Sequence, residues 1–119
     1  MALKRIILEM GTGNDLYGED YTKAACRAVQ DALHHSSLIL FRSLGLDRDA
    51  MQITVSVGVQ QPAKIDTETV KKELPFGTVV VKPELGGLNL TDTENATVSV
   101  IATAGISVYL DLPESKFVL

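Results

Sequence analysis

Ile6-Ile7-Leu8, with Leu3 before it and Met10 after it, runs into Gly11-Thr12-Gly13-Asn14-Asp15-Leu16-Tyr17-Gly18. A short apolar run that ends in Gly-Thr-Gly predicts a buried strand entering a loop. From Asp20 the pattern changes. Ala24, Ala25, Ala28, Val29, Ala32 and Leu33 recur at three- and four-residue spacing, while Lys23, Arg27, Gln30 and Asp31 fall elsewhere on the wheel. That is an amphipathic helix, with Asp20 or Thr22 placed to cap its first turn. Its alanine-rich face implies close approach to a neighbour, and a sheet is the natural one.

Working outward, Met51, Ile53, Val55, Val57 and Val59 alternate with Gln52, Thr54, Ser56 and Gly58, as a half-buried strand does. Asp66 heads a short helix carrying Val70 and Leu74, and Pro75 stops it. Thr78 to Val81 predicts a third strand, followed by a Gly86-Gly87 break. Ala96 to Leu110 predicts one or two strands, with a bulge or bend at Gly105. Leu38-Ile39-Leu40-Phe41 fits either the end of the first helix or a short strand. The order β-α-β-α-β-β predicts an α/β two-layer sandwich, with both helices on one face of a four- or five-stranded sheet. The other face, carrying Thr54 and Ser56, then calls for a subunit contact.

The chain has 119 residues, which suits one domain spanning 1–119. Lys and Arg number 11 against 15 Asp and Glu, a formal net charge of −4, which argues against a nucleic-acid-binding module. The single cysteine, Cys26, allows no internal disulfide and fits a reducing, cytoplasmic setting. The opening residues lack the apolar length of a secretory signal, and the charge-free run from Asn95 to Leu110 is too short to span a bilayer. No membrane partner is expected.

Gly11, Gly13 and Gly18 lie within eight residues, ahead of a helix start. Such a loop can present N–H groups to an anion. The spacing matches neither the dinucleotide fingerprint nor the phosphate loop, so no cofactor is implied. Asp15 and Tyr17, a carboxylate and a phenol on the same turn, are the candidate catalytic pair. The plain alternatives are a structural turn and an Asp15 that bonds its own backbone. Lys82, Glu84, Gly86 and Gly87 are further ligand-binding candidates near a subunit boundary, set against a solvated strand edge blunted by Lys and Pro. Adjacent His34 and His35 point about 100° apart on a helix and cannot chelate one ion, so no metal is expected. Ser56 lacks a visible base, and Cys26 reads as a packed helix residue.

The stretch Gly11 to Gly18, with Asp20 and Thr22-Lys23-Ala24-Ala25 after it, resembles the G-x-G-x-D-x-H-G signature of a small conserved-hypothetical family. That family occurs in bacteria and, with an N-terminal extension, in plants. Tyr17 takes the histidine position. Leu74-Pro75-Phe76-Gly77 and Gly86-Gly87-Leu88 are similar to the same family, which implies no reaction. At the level of fold the chain resembles the trimeric α/β class of chorismate mutase, which implies a homo-oligomer with clefts between subunits that take a small anionic substrate. Met10 stands where that class has a strand arginine, and Asn95 to Leu110 contains no arginine. The ring-opening amidohydrolases of cyanuric acid are similar in architecture and use Ser/Lys pairs. Together these readings give an anionic-metabolite site, binding or catalytic, on the Gly11–Gly18 loop at a subunit interface. A trimer is favoured, and the alternative is a non-catalytic assembly or regulatory module.

Overall fold

The computed structural model describes residues 3–16, 18–34, 50–74 and 77–111. Tyr17, His35, Pro75 and the 38–45 segment lie outside the described residues. The elements are β1 (Leu3–Asp15), α1 (Tyr21–His34), β2 (Gln52–Val59), a 3-10 turn (Pro62–Lys64), α2 (Thr67–Lys71), β3 (Thr78–Leu85), β4 (Leu88–Asp92) and β5 (Thr97–Asp111). They form a five-stranded mixed sheet in the order β1-β5-β2-β3, with β4 paired to β5. Only β2 and β3 run parallel, joined by the crossover that contains α2. β2 lies beside residues 103–109 of β5 and β4 beside residues 97–101, so the two share one flank of that strand.

The helices cover one face. Ala24, Ala25, Ala28, Val29 and Ala32 of α1 are fully buried, as are Val55, Val57, Val59, Val70 and Val100, and all belong to one hydrophobic cluster. Strand alternation puts Ala102, Ala104, Ile106 and Val108 on the same side. Asp66 caps α2 by accepting the N–H groups of Glu68 and Thr69, and a further bond from the Thr69 hydroxyl helps hold its carboxyl below the usual range.

Three expectations are corrected. The Gly11–Gly18 stretch is not one loop, because β1 continues through Gly11 and Gly13 to Asp15, its residues paired one to one with β5. Of the one or two strands expected over Ala96 to Leu110 the structure has one, β5, and Gly105 sits there in regular register with Met10 and Ser56 rather than in a bulge or bend. The irregularity lies instead between Arg5 and Ile7. The third strand runs on past Val81 through Pro83 to Leu85, which an edge strand permits, and β4 follows as a strand of its own.

α1 and β1 approach very closely. A Cβ built on Gly11 would stand 2.4 Å from the Ala32 nitrogen, and one on Gly13 would stand 2.2 Å from the Ala28 nitrogen. Helix backbone therefore rests on strand backbone, with alanines above and glycines below. Gly13→Ala is expected to destabilise the fold by about 3 kcal/mol, because neither backbone can yield locally. Chemical denaturation checks this, and an unchanged midpoint would contradict the packing.

Cys26 lies on α1, half-buried against the core. Burial, reinforced by the neighbouring Glu73 carboxylate, pushes its thiol up to about 11. Folding therefore favours the protonated thiol, and stability is lost as pH rises from the ordinary thiol range toward that value. At about pH 9, where a free thiol is largely ionised, the folded protein should show little thiolate absorbance and the unfolded chain much more. Equal signals would refute the burial.

Candidate functional site

Asp15 is the last residue of β1 and the one buried acidic or polar side chain among the described residues, 6% exposed. Its position continues the Gly11, Gly13 face toward α1, so its carboxylate enters the space under the first helical turn. Oδ2 accepts the Asp20 N–H at 2.9 Å, and Oδ1 lies 3.7 Å from Arg27 Nη1. Asp20 in turn accepts the Lys23 N–H at 3.0 Å and so caps α1. One carboxylate holds the turn and the next holds the helix. Gly18 fits against this arrangement: a Cβ there would stand 3.0 Å from Asp15 Oδ2. The Ser99 hydroxyl donates to the Leu16 carbonyl and ties the turn to β5.

Arg27 and Asp31, one helical turn apart on α1, reach over the outer edge of β1. Arg27 donates to the Asn14 carbonyl, and Asp31 accepts the Thr12 N–H at 2.9 Å. Both backbone groups point away from β5, and an edge strand would otherwise leave them for solvent or another chain. Sequence reading placed these two side chains merely off the apolar face of the helix. Their i, i+4 spacing beside an edge strand was the available signal.

Between the turn and the helix lies a cleft of about 440 Å³, lined by Asp15, Leu16, Gly18, Asp20, Lys23 and Arg27. The two acids are engaged by backbone N–H groups. Lys23 is exposed, and its ammonium has no partner among the described residues. Neither Lys23 nor Arg27 was singled out as a site residue from sequence. Tyr17 lies outside the described residues, between Leu16 and Gly18, both of which line the cleft.

The remaining candidates are not brought to this cleft. Gly11 and Gly13, read as ligand-binding, have their free space filled by α1 backbone. Gly86 and Gly87 have a packing role as well. Gly87 turns with φ +64°, and a Cβ there would stand 2.2 Å from the Ile101 carbonyl oxygen and 2.8 Å from that of Gly58. The chain passes here from β3 to β4 against Gly58 of β2 and Ile101 of β5, and Gln60 donates to the carbonyls of both glycines. Lys82 and Glu84 are exposed on β3 at the far edge of the sheet from β1. Lys82 is the register partner of Ser56, so an amine that sequence reading had not placed near that serine lies on the adjacent strand. No group of three or more His, Cys, Asp or Glu side chains among the described residues could hold a metal ion, and none of the described helices is long and apolar enough to cross a membrane.

Comparison with known structures places this geometry in company. The chain is similar to an FtsZ-like protein of unknown function from Nostoc punctiforme PCC 73102, known from a crystal structure. Identity is 35%, the TM-score is 0.81, and the match covers 94% of this chain and 99% of that one. No curated protein matches the sequence. A family model described as conserved hypothetical protein (Lin0512_fam) matches residues 5–108, from β1 into the last turns of the β5 ladder, and the chain belongs to that family.

Proposed function

We propose that the chain is the ligand-binding subunit of a homo-oligomer, taking a small anion of the carboxylate or phosphate class in the cleft between β1 and α1. Lys23 carries this reading: its ammonium borders a cleft of about 440 Å³ without a partner among the described residues, one helical turn from Arg27. A guanidinium has five N–H donors, and Arg27 spends only part of them on Asn14 and Asp15. Asp15 serves here as a positioning residue, because both its oxygens face partners within the turn. Tyr17, beside two lining residues, is the hydrogen-bond donor of the site, in the place where the G-x-G-x-D-x-H-G signature has histidine. No reaction is assigned.

The finer resemblance, to the trimeric chorismate-mutase class, belongs to the same proposal, as do a single domain over 1–119 and a cytoplasmic setting. It favours a trimer and sets Lys82 and Glu84 at the boundary between copies. A second reading, a non-catalytic assembly module, is favoured by the glycines at 11 and 13, which pack under α1, and by the self-capping of Asp15.

Lys23→Gln separates the two. If the cleft takes an anion, the variant folds normally and binds inorganic phosphate or citrate about tenfold more weakly than the parent, the scale of one charge-assisted hydrogen bond. Calorimetric titration reads this, and a parent protein that binds neither anion leaves the assembly reading in possession. Asp15→Asn removes the charge from the bond to the Asp20 N–H and unpairs Arg27. It should cost about 1–2 kcal/mol of stability, measured by urea denaturation. An unchanged midpoint would show that the turn does not depend on that carboxylate.

A further inference from the structure

The helices cover one side of the sheet and leave the other open, apart from the Gly86-Gly87 turn that lies over Gly58. Register gives the rows of this open face: Leu8, Ser107, Thr54 and Val80, then Met10, Gly105, Ser56 and Lys82, then Thr12, Thr103, Gly58 and Glu84. Leu88 and Leu90 of β4 extend it. Met10 is 70% exposed, and Leu8, Val80, Leu88 and Leu90 each expose about half their surface. We infer that this open face is the surface through which two copies of the chain pack. The inference rests on the oligomer proposed above and adds the surface to it.

Charge distribution makes the case for a second copy as occupant. The chain has 26 charged residues, yet none lies on the open face of the two central strands, from Ser99 to Tyr109 of β5 and from Gln52 to Gly58 of β2. Their floor is Ser, Thr, Gly, Ile, Gln and Tyr. Among the described residues, charge returns at the margins, with Arg5 on β1, Lys82 and Glu84 on β3 and Asp92 at the end of β4. A neutral core inside a charged rim is the composition of a protein interface. Lys82 and Glu84 have opposite signs two residues apart on one strand, so a symmetric pairing can set Lys82 of one copy against Glu84 of the next. The margin is self-complementary in charge. Among the described residues an acidic lipid surface finds two cations here, Arg5 and Lys82, offset by Glu84 and Asp92, in a chain of net charge −4.

Size agrees as well. Four strands about 4.8 Å apart over seven or eight residues give roughly 500 Å² in projection before side chains roughen it, approaching what one partner buries in a specific interface. The small residues at the centre let a facing sheet come close.

Gly105 supplies a clean probe. A Cβ built there meets nothing within 4 Å, and the residue has no positive φ, so Gly105→Glu should fold while placing a charge in the middle of the face. Met10→Lys is the second variant, should the first not fold, and Lys71→Glu on exposed α2 is the control. Light scattering should give the parent and the control a mass of two or three times 12.8 kDa. The two face variants should keep the parent's circular dichroism and associate at least about a hundredfold more weakly. An oligomeric parent whose face variants remain equally oligomeric overturns this surface and leaves the oligomer standing. A monomeric parent at high concentration overturns both.

Discussion

Everything in this domain hangs on how near α1 comes to β1. Alanine on the helix and glycine on the strand remove the side chains that normally separate such layers, and the two backbones meet directly. Dispersion falls off steeply with distance, so this contact is stabilising only while both surfaces stay bare. It also fixes the rotation of α1 about its axis. With Ala24, Ala28 and Ala32 turned down onto the strand, Arg27 and Asp31 are carried to its outer edge and Lys23 to the mouth of the cleft. The positions of the polar groups are thus a by-product of the apolar seam.

The turn before α1 shows the same economy. A single buried carboxylate at the end of β1 satisfies the Asp20 N–H, stands beside the Arg27 guanidinium and limits what fits at position 18. Asp20 then completes the helix terminus. A hollow remains beside this turn because the acids bend inward to their partners while the cations stay outside. Its inner wall is therefore committed to structure, and its outer wall is available.

Much of the architecture was legible in the residues. The period of α1, the alternation of β2 and the Asp66 cap each follow local rules that the fold does not override. What misled was glycine. Gly11 and Gly13 read as loop because nothing in one sequence distinguishes a glycine that bends the chain from one that makes room for a helix. The answer depended on Ala28 and Ala32, fifteen and more residues away. Gly105 was read as a bulge or bend, yet it sits in regular register in the ladder. Of the site, Asp15 and Gly18 were visible as residues, and an Asp15 bonded within its own turn was one of the readings offered; its approach to Arg27 was not, since that partner is decided by tertiary placement. The edge-covering roles of Arg27 and Asp31, and the nearness of Lys82 to Ser56, exist only once strand order is known.

Arg27 and Asp31 also bear on how copies of this chain are able to gather. Amyloid-like growth proceeds by adding one strand's hydrogen-bonding groups to another's, and it needs an open margin. On one side of the sheet, the Thr12 amide and the Asn14 carbonyl are already spoken for by the chain's own helix. On the other, Pro83 leaves a gap in the row of donors. With both borders guarded, endless lateral growth is discouraged, and copies are steered toward stacking broadside, the kind of meeting that closes on itself at a small number.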